Sequence, residues 1–161
     1  MKVATPCLDA SGLRIALVVS RFNHLISTRL IDGARDALVD RGADAADLSL
    51  FWVPGAFEIP QAARHLAESG RFDAIVTLGS VIRGGTPHFD YVCRGVTDGV
   101  RDVMRSSPVP VGFGVLTTDD IDQALARAGG SDGNKGAEVA LAAVEMARLL
   151  RGIDGQETTA S

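Results

Sequence analysis

The sequence predicts a three-layer α/β/α fold in which a doubly wound, four-stranded parallel sheet lies between helices. Two observations predict it. Four short runs are predominantly apolar, as strands buried on both faces are, and helix-length segments separate them. Because parallel strands are joined by right-handed crossovers, this alternation gives a flavodoxin-like layout. Such sheets bind ligands beyond the carboxyl ends of their strands, so the functional residues are expected in the four loops found there.

The elements alternate along the chain. The predicted strands are 13–19, 48–53, 72–78 and 111–116. The predicted helices are 25–41, 58–69, 89–106, 119–128 and 134–151. Thr117 is expected to cap the fourth helix, because Asp120 follows it at the spacing of a capping box. The polar residues 152–161 are expected to form a frayed tail.

Length and composition indicate one soluble domain and exclude several classes of function. Of the 161 residues, 46% are hydrophobic and 22% charged, so a single domain over 1–161 with its core in 10–151 is expected. A net charge of -4 without a cluster of Lys and Arg argues against a nucleic-acid partner. No apolar run approaches the roughly 20 residues that span a membrane. No signal peptide is recognisable, so a cytoplasmic location is expected.

Neither a metal nor a cofactor is expected. Cys7 and Cys93 show no metal-ligand spacing and no Cys-x-x-Cys motif, so both are interpreted as reduced thiols. The three histidines are far apart in sequence and lack carboxylates at ligand spacing. The dinucleotide pattern Gly-x-Gly-x-x-Gly and the Walker pattern are also absent from the sequence.

The most informative segment is the glycine-rich run at 83–88, Arg-Gly-Gly-Thr-Pro-His, which joins the third strand to a helix. A glycine turn at a helix start presents free N–H groups and the positive end of the helix dipole, and both attract phosphate. A histidine in this position is often only a cap or a surface residue. Beside a phosphate-binding turn, however, His88 can transfer protons near neutral pH, and the functional interpretation is favoured.

Unusual residues also follow the other strands. Phe22 follows the first strand and Phe57 the second, where each ring could stack on a flat heterocycle or could plug its own loop. Stacking is favoured because the loops come together at one edge. Glu58 is either a charge that suits the helix dipole or a ligand for polyol hydroxyls. Arg127 and Lys135 bracket a glycine-rich loop; both could be solvated charges, but a planar guanidinium also grips phosphate bidentately.

Five linked motifs carry a resemblance to a known family. They are Arg-Phe-Asn at 21–23, Val-Pro-Gly-Ala-Phe-Glu-Ile-Pro at 53–60, Gly-Ser-Val-Ile-Arg-Gly-Gly-Thr-Pro-His-Phe-Asp-Tyr-Val at 79–92, Gly-Val-Leu-Thr-Thr at 114–118 and Gly-Asn-Lys-Gly at 133–136. Over residues 10–150 and in the same order, they resemble lumazine synthase, the beta subunit of the riboflavin synthase system. Departures are small: Gly85 stands where the family more often has alanine.

The resemblance implies a condensing enzyme that joins a ribitylamino-substituted aminouracil to a dihydroxybutanone phosphate. Phosphate and water are released, and the product is dimethylribityllumazine, the precursor of riboflavin. The resemblance implies that His88 moves protons. The implied pyrimidine and ribityl contacts are Phe22, Ala56, Phe57, Glu58, Ser80, Val81, Ile82, Phe113 and Lys135. The implied phosphate contacts are Gly85, Thr86 and Arg127.

The resemblance also implies a homopentamer with sites at its subunit interfaces, where Phe113 closes the site of a neighbouring subunit. Because residues 129–136 carry no insertion, an icosahedral shell of about 60 subunits is favoured, and such a shell could enclose a riboflavin synthase. Two other functions remain open. A flavin-binding carrier would explain the aromatic rings and the phosphate seat but not His88. A structural shell protein with a decayed site is disfavoured by the intact motifs.

Overall fold

Four strands form one parallel sheet, as the sequence predicts. The structure, a computed structural model, describes residue 1 and residues 3–155. The strands of the sheet are β1 (Ile15–Ser20), β2 (Leu48–Val53), β3 (Ala74–Ile82) and β4 (Val111–Thr118). Their order is β2-β1-β3-β4 and every neighbouring pair is parallel. The flavodoxin-like α/β fold is therefore confirmed.

Helices cover both faces of the sheet. They are α1 (His24–Asp40), α2 (Ile59–Glu68), α3 (His88–Ser106), α4 (Ile121–Arg127) and α5 (Lys135–Ile153). Helices α1 and α5 pack on one face, and α2 and α3 on the other. Two short 3-10 turns, Ala45–Asp47 and Ala56–Glu58, lead into β2 and α2. No helix in the described part of the chain has both the length and the apolar composition that crossing a bilayer requires.

One apolar core lies on each face of the sheet, and β1 contributes residues to both. Ile15, Leu17 and Val19 contribute to the core beneath α1 and α5. Ala16 and Val18 contribute to the core beneath α2 and α3. All six residues of β1 are buried, which is why this strand appears in the sequence as an unbroken apolar run.

Three predicted strands end too early because pairing continues past the apolar runs. Strand β1 spans Ile15–Ser20 rather than 13–19, and its last residue pairs with Val53. Strand β3 extends to Ile82 rather than 78, and β4 extends to Thr118 rather than 116. Ile82 pairs with Thr118 at the last position of the ladder. Strand β3 also begins at Ala74 rather than at Phe72. Hydropathy alone misplaces these ends because polar and small residues complete the ladder between β3 and β4.

The predicted helix cap at Thr117 is also wrong. Thr117 lies within β4, and the N-cap of α4 is Asp120, whose carboxylate accepts a hydrogen bond of 2.8 Å from the Gln123 N–H. Helix α4 therefore spans Ile121–Arg127 rather than 119–128. The residues that follow it form an antiparallel hairpin of β5 (Ala128–Gly130) and β6 (Gly133–Asn134), which the sequence analysis treats as a loop.

The predicted tail begins too early. Helix α5 continues to Ile153, so residues 152 and 153 are helical rather than frayed. Residues 156–161 of the predicted tail lie outside the described residues.

Asp73 ties the first strand to the last helix. Its carboxylate accepts hydrogen bonds from the backbone N–H of Arg14 at 2.8 Å and from the Arg14 Nε and Nη2 at 3.1 Å. Nη2 of Arg151 lies 2.7 Å from the Asp73 Oδ1. Burial by itself raises the pKa of Asp73. The hydrogen bonds from Arg14 and the charges of Arg151 and Arg14 outweigh burial and hold this pKa below its usual value.

We expect Asp73→Asn to lower the free energy of unfolding near neutral pH by about 1.5 kcal/mol, the contribution of hydrogen bonds to a charged group. Because the folded-state pKa is depressed, this stabilisation is present above the unfolded pKa of about 3.9 and is lost as pH falls through the folded value. The free energies of unfolding of the wild type and the variant, measured with urea, should therefore become equal as the pH is lowered. The control is Asp98→Asn, which breaks an exposed ion pair with Arg101. If the wild type and Asp73→Asn differed in free energy of unfolding by the same amount at neutral and acidic pH, the stabilisation would not come from the ionised carboxylate of Asp73.

Candidate active site

A cavity of about 670 Å³ opens at the carboxyl ends of β1, β2 and β3. This is the edge at which doubly wound sheets bind ligands, and the volume suits a small organic molecule. The cavity is lined by nine of the residues that the sequence analysis selects: Phe22, Ala56, Phe57, Glu58, Ser80, Val81, Ile82, Thr86 and His88. One chain therefore brings together most of the selected residues.

Three aromatic side chains stand exposed around this cavity. Phe22 is 71% exposed, Phe57 60% and Tyr91 71%. With this exposure neither phenylalanine fills the interior of its own loop. Large apolar rings left in water around one cavity favour a flat ligand that would cover them.

The turn that carries Phe22 is fixed by hydrogen bonds to two neighbouring strands. The N–H of Arg21 donates to the carbonyl of Val53 at 2.8 Å. Asn23 adopts the left-handed conformation with φ of 58°, which asparagine tolerates better than most residues, and its Nδ2 donates to the carbonyl of Ser80 at 2.8 Å. Phe22 thus projects from a turn that is bonded to both β2 and β3.

Phe57 lies against helix α3 because that helix has glycine at the point of contact. A Cβ at Gly95 would lie 2.9 Å from the Phe57 Cδ2 and would collide with the ring. One turn further on, a Cβ at Gly99 would lie 2.6 Å from the Pro60 Cβ. The two glycines let residues 56–60 approach the backbone of α3, and this approach sets the width of the cavity.

Two polar groups in the cavity wall lack a protein partner. Ser80 is only 2% exposed, and its buried Oγ forms no hydrogen bond. The carboxylate of Glu58 has no hydrogen-bond or ion-pair partner within residues 3–155. The Oγ of Ser20, which does not line the cavity, is likewise buried without a partner. Of the two groups in the wall, the partly exposed carboxylate of Glu58 is therefore the one that a ligand in the cavity can reach.

The turn between β3 and α3 presents backbone donors. The N–H groups of Gly84, Gly85 and Thr86 donate no hydrogen bond to any described residue. They lead into the first turn of α3, where the helix dipole is positive. His88 is the first residue of this helix, and its imidazole is exposed and without a described partner. Free amides, a helix start and an imidazole thus lie within one short segment, as an anion-binding site with proton transfer requires.

Comparison with protein families matches residues 12–151 to the family described as 6,7-dimethyl-8-ribityllumazine synthase. The chain belongs to this family. The match confirms the resemblance drawn from the five motifs, and its span agrees with the 10–150 expected. Lumazine synthases are enzymes, so the family supports a catalytic function of this general kind.

Four residues selected by the lumazine synthase motifs do not line the cavity: Gly85, Phe113, Arg127 and Lys135. Gly85 lies between two lining residues of the same turn. Phe113 lies on β4, an edge strand of the sheet, and its side chain is partly exposed. Arg127 directly precedes the β5–β6 hairpin and Lys135 directly follows it. Because Ala128 pairs with Asn134, the two ends of the hairpin lie side by side. Within one chain, these last three residues therefore lie outside the cavity that His88 lines.

Arg127 and Lys135 have local partners in the single chain. Arg127 Nη1 donates to the carbonyl of Gln123 at 3.0 Å and lies 3.3 Å from the Asp132 carboxylate. Lys135 Nζ donates to Glu138 at 2.8 Å. Both cations remain partly exposed. Among the described residues, each cation has a single exposed carboxylate partner, and isolated pairs of this kind are weak, so either cation can turn towards a ligand on a neighbouring molecule.

Five side chains in the cavity wall are not among the predicted site residues: Asn23, Pro54, Phe89, Tyr91 and Val92. Tyr91 was detectable, because it follows His88 by three residues and residues at that spacing share a helix face. Asn23 gave a weaker signal. Its place between an exposed phenylalanine and a helix start is typical of a turn residue in the left-handed region.

Proposed function

We propose that the protein is a 6,7-dimethyl-8-ribityllumazine synthase, a transferase that acts in the penultimate step of riboflavin biosynthesis. It condenses 5-amino-6-(D-ribitylamino)uracil with 3,4-dihydroxy-2-butanone 4-phosphate and releases phosphate and water. One observation carries the proposal: in a chain of this family, a cavity with an exposed aromatic rim opens beside free amides and an imidazole.

In the proposed reaction the amine of the uracil attacks the ketone, water leaves and an imine forms. Phosphate then departs by elimination, which leaves a carbonyl on the neighbouring carbon after tautomerisation. The second amine attacks this carbonyl and closes the ring with loss of a second water. The free amides of Gly85 and Thr86 hold the phosphate as it leaves, and His88 transfers the protons. Holding the two substrates together supplies much of the acceleration, because the condensation is otherwise bimolecular.

The pyrimidine and its ribityl chain occupy the rest of the cavity. Phe22 stacks on one face of the ring, and Phe57 helps to hold the ring and the ribityl chain. The unpartnered carboxylate of Glu58 accepts hydrogen bonds from ribityl hydroxyls, and Ser80 contacts the edge of the pyrimidine. The remaining contacts come from the cavity wall at Ala56, Val81 and Ile82.

A neighbouring subunit completes the site. In this proposal Phe113 covers the ring, Arg127 grips the phosphate and Lys135 supports the polar end of the substrate. Their separation from the cavity within one chain supports a shared site.

We expect mixed assemblies of His88→Ala and Arg127→Ala subunits to regain activity that neither variant has alone. If the two residues meet across a subunit boundary, about one site in four of a random equal mixture combines an intact cavity with an intact neighbour. If they act within one chain, every site carries a defect. The measurement is lumazine formation after the denatured variants are refolded together. A mixture no more active than the mean of its components would contradict the shared site.

Both edges of the sheet carry exposed apolar side chains that a second copy would cover. Leu50 and Trp52 are exposed on β2, and Phe113 on β4. Exposed apolar edges of this kind favour association. We therefore propose a pentamer, and a shell of about 60 subunits that could enclose a riboflavin synthase. The particle mass measured by light scattering distinguishes a free pentamer from the shell.

The deciding experiment mixes both purified substrates with the protein and follows lumazine absorbance and fluorescence. Product at a rate well above that of the same substrates without protein supports the enzyme. A protein that binds riboflavin or the ribityl pyrimidine but forms no product would instead be a carrier.

A further inference from the structure

Arg83 lies at the end of β3, directly before the glycine turn, and does not line the cavity. Its backbone N–H donates to the carbonyl of Thr118 at 2.9 Å, and its Nε donates to the Asp119 Oδ1 at 2.9 Å. Its guanidinium carbon lies 4.2 Å from the centroid of the Phe89 ring, and its Nη1 lies 3.5 Å from the Asp90 Oδ1. One side chain thus contacts both the loop after β4 and the first turn of α3.

The partners of Arg83 are themselves held in place. The N–H of Asp119 donates to the Gln123 Oε1 at 3.0 Å, so the start of α4 fixes this carboxylate's backbone. Phe89 and Asp90 directly follow His88 in α3. The hydrogen bond to Asp119 raises the pKa of the Arg83 guanidinium, so the side chain stays charged. Two carboxylates balance this one positive charge, which leaves Arg83 poorly suited to bind phosphate itself.

The turn that follows has few other restraints. Neither Gly84 nor Gly85 has any atom within 4 Å of the position where a Cβ would lie, and their N–H groups donate to no described residue. Such an open turn depends on the anchoring of its ends. Arg83 anchors both of them, since its backbone bonds β4 and its side chain reaches the far side of the turn at Phe89.

We infer that Arg83 is a positioning residue, which holds the phosphate-binding turn and His88 in register without touching the substrate. This inference rests on the proposed function. Only an arginine fits the geometry, because a planar guanidinium can stack on Phe89 while its edge bonds Asp119.

The first test measures amide hydrogen exchange in peptides covering the first two turns of α3. In Arg83→Met, which keeps the length of the side chain but removes the charge, exchange there is expected to be at least about fivefold faster than in the wild type. The matched control is Arg64→Ala, which breaks an exposed ion pair with Glu68 on α2. Exchange in α3 that is equal in all three proteins overturns the inference.

The second test is steady-state kinetics on both substrates. Arg83→Met is expected to lower kcat about tenfold and to change the KM of the uracil by less than about twofold, because only the turn and His88 are displaced. Arg83→Lys should recover only part of the loss, since an ammonium cannot stack and bond Asp119 as a planar fork does. Full recovery in Arg83→Lys would overturn the stacking geometry, and unchanged kcat in Arg83→Met would overturn the positioning role.

The two proposals fail in different ways. If the wild type forms no lumazine, the proposed function falls and the positioning role falls with it. If the wild type forms lumazine and Arg83→Met matches Arg64→Ala, only the positioning role falls. Should Arg83→Met not fold, Asp119→Ala removes one partner of Arg83 and leaves the arginine in place. Asp119→Ala is expected to shift exchange and kcat in the same direction by a smaller factor, and no shift in either overturns the inference.

Discussion

Replacing His88 by alanine is expected to lower kcat for lumazine formation about 100-fold, the lower end of the effect of removing a general acid–base group. The imidazole is exposed at the first position of α3, beside the free amides of the turn, where it can reach a bound phosphate ester. The effect is at the lower end because the two substrates are still held together when His88 is absent.

The same variant should leave the KM of both substrates within about threefold of the wild-type values, because the ring and phosphate contacts come from other groups. His65→Ala is the matched control, since His65 is also an exposed histidine but lies on α2, away from the cavity. A kcat for His88→Ala that equals that of His65→Ala would remove His88 from the mechanism. A large rise in KM without a fall in kcat would make it a binding residue instead.

The fold could be predicted from the sequence because its two central strands, β1 and β3, are buried on both faces over most of their length. The unbroken apolar run of β1 has one physical explanation in a chain of alternating elements, a central strand of a parallel sheet. The ends of β3 and β4 could not be predicted in this way. Ile82 and Thr118 complete the ladder by pairing with each other, and pairing between distant segments leaves no mark in either one alone.

The cavity was predictable for a related reason. Parallel strands end at one edge, so the loops after β1, β2 and β3 meet there whatever their sequences. Contacts that depend on side-chain direction were not predictable. The bonds from Arg83 to Asp119, and from Arg14 to Asp73, join residues far apart in the chain. In the proposed shared site, Arg127 and His88 come from different copies of the chain, and the sequence of one copy carries no sign of such a contact.

Helices α1 and α5 lie in close backbone contact at Gly136, in the first turn of α5. A Cβ there would collide with the carbonyl oxygen of Leu30 in α1 and lie 2.8 Å from its carbonyl carbon. Asn134 fills the same gap: its Nδ2 donates to the carbonyl of Arg29 at 2.8 Å, and its Oδ1 accepts from the Gly136 N–H at 2.9 Å. The backbone of α5 at Gly136 therefore packs directly against the backbone of α1 at Leu30, and Asn134 is hydrogen-bonded to both helices. This packing leaves no room for a methyl group at Gly136.

Gly136→Ala is accordingly expected to lower the free energy of unfolding by about 2 kcal/mol. Overpacking against the backbone costs about 3 kcal/mol, and the better helix propensity of alanine offsets about 1 kcal/mol of it. Gly152→Ala is a control of opposite sign: nothing lies within 4 Å of a Cβ at Gly152, so only the propensity gain remains. Urea unfolding of both variants measures the difference. If Gly136→Ala were as stable as Gly152→Ala, the helices could separate at no cost, and the close approach of α1 and α5 would not be required by the fold.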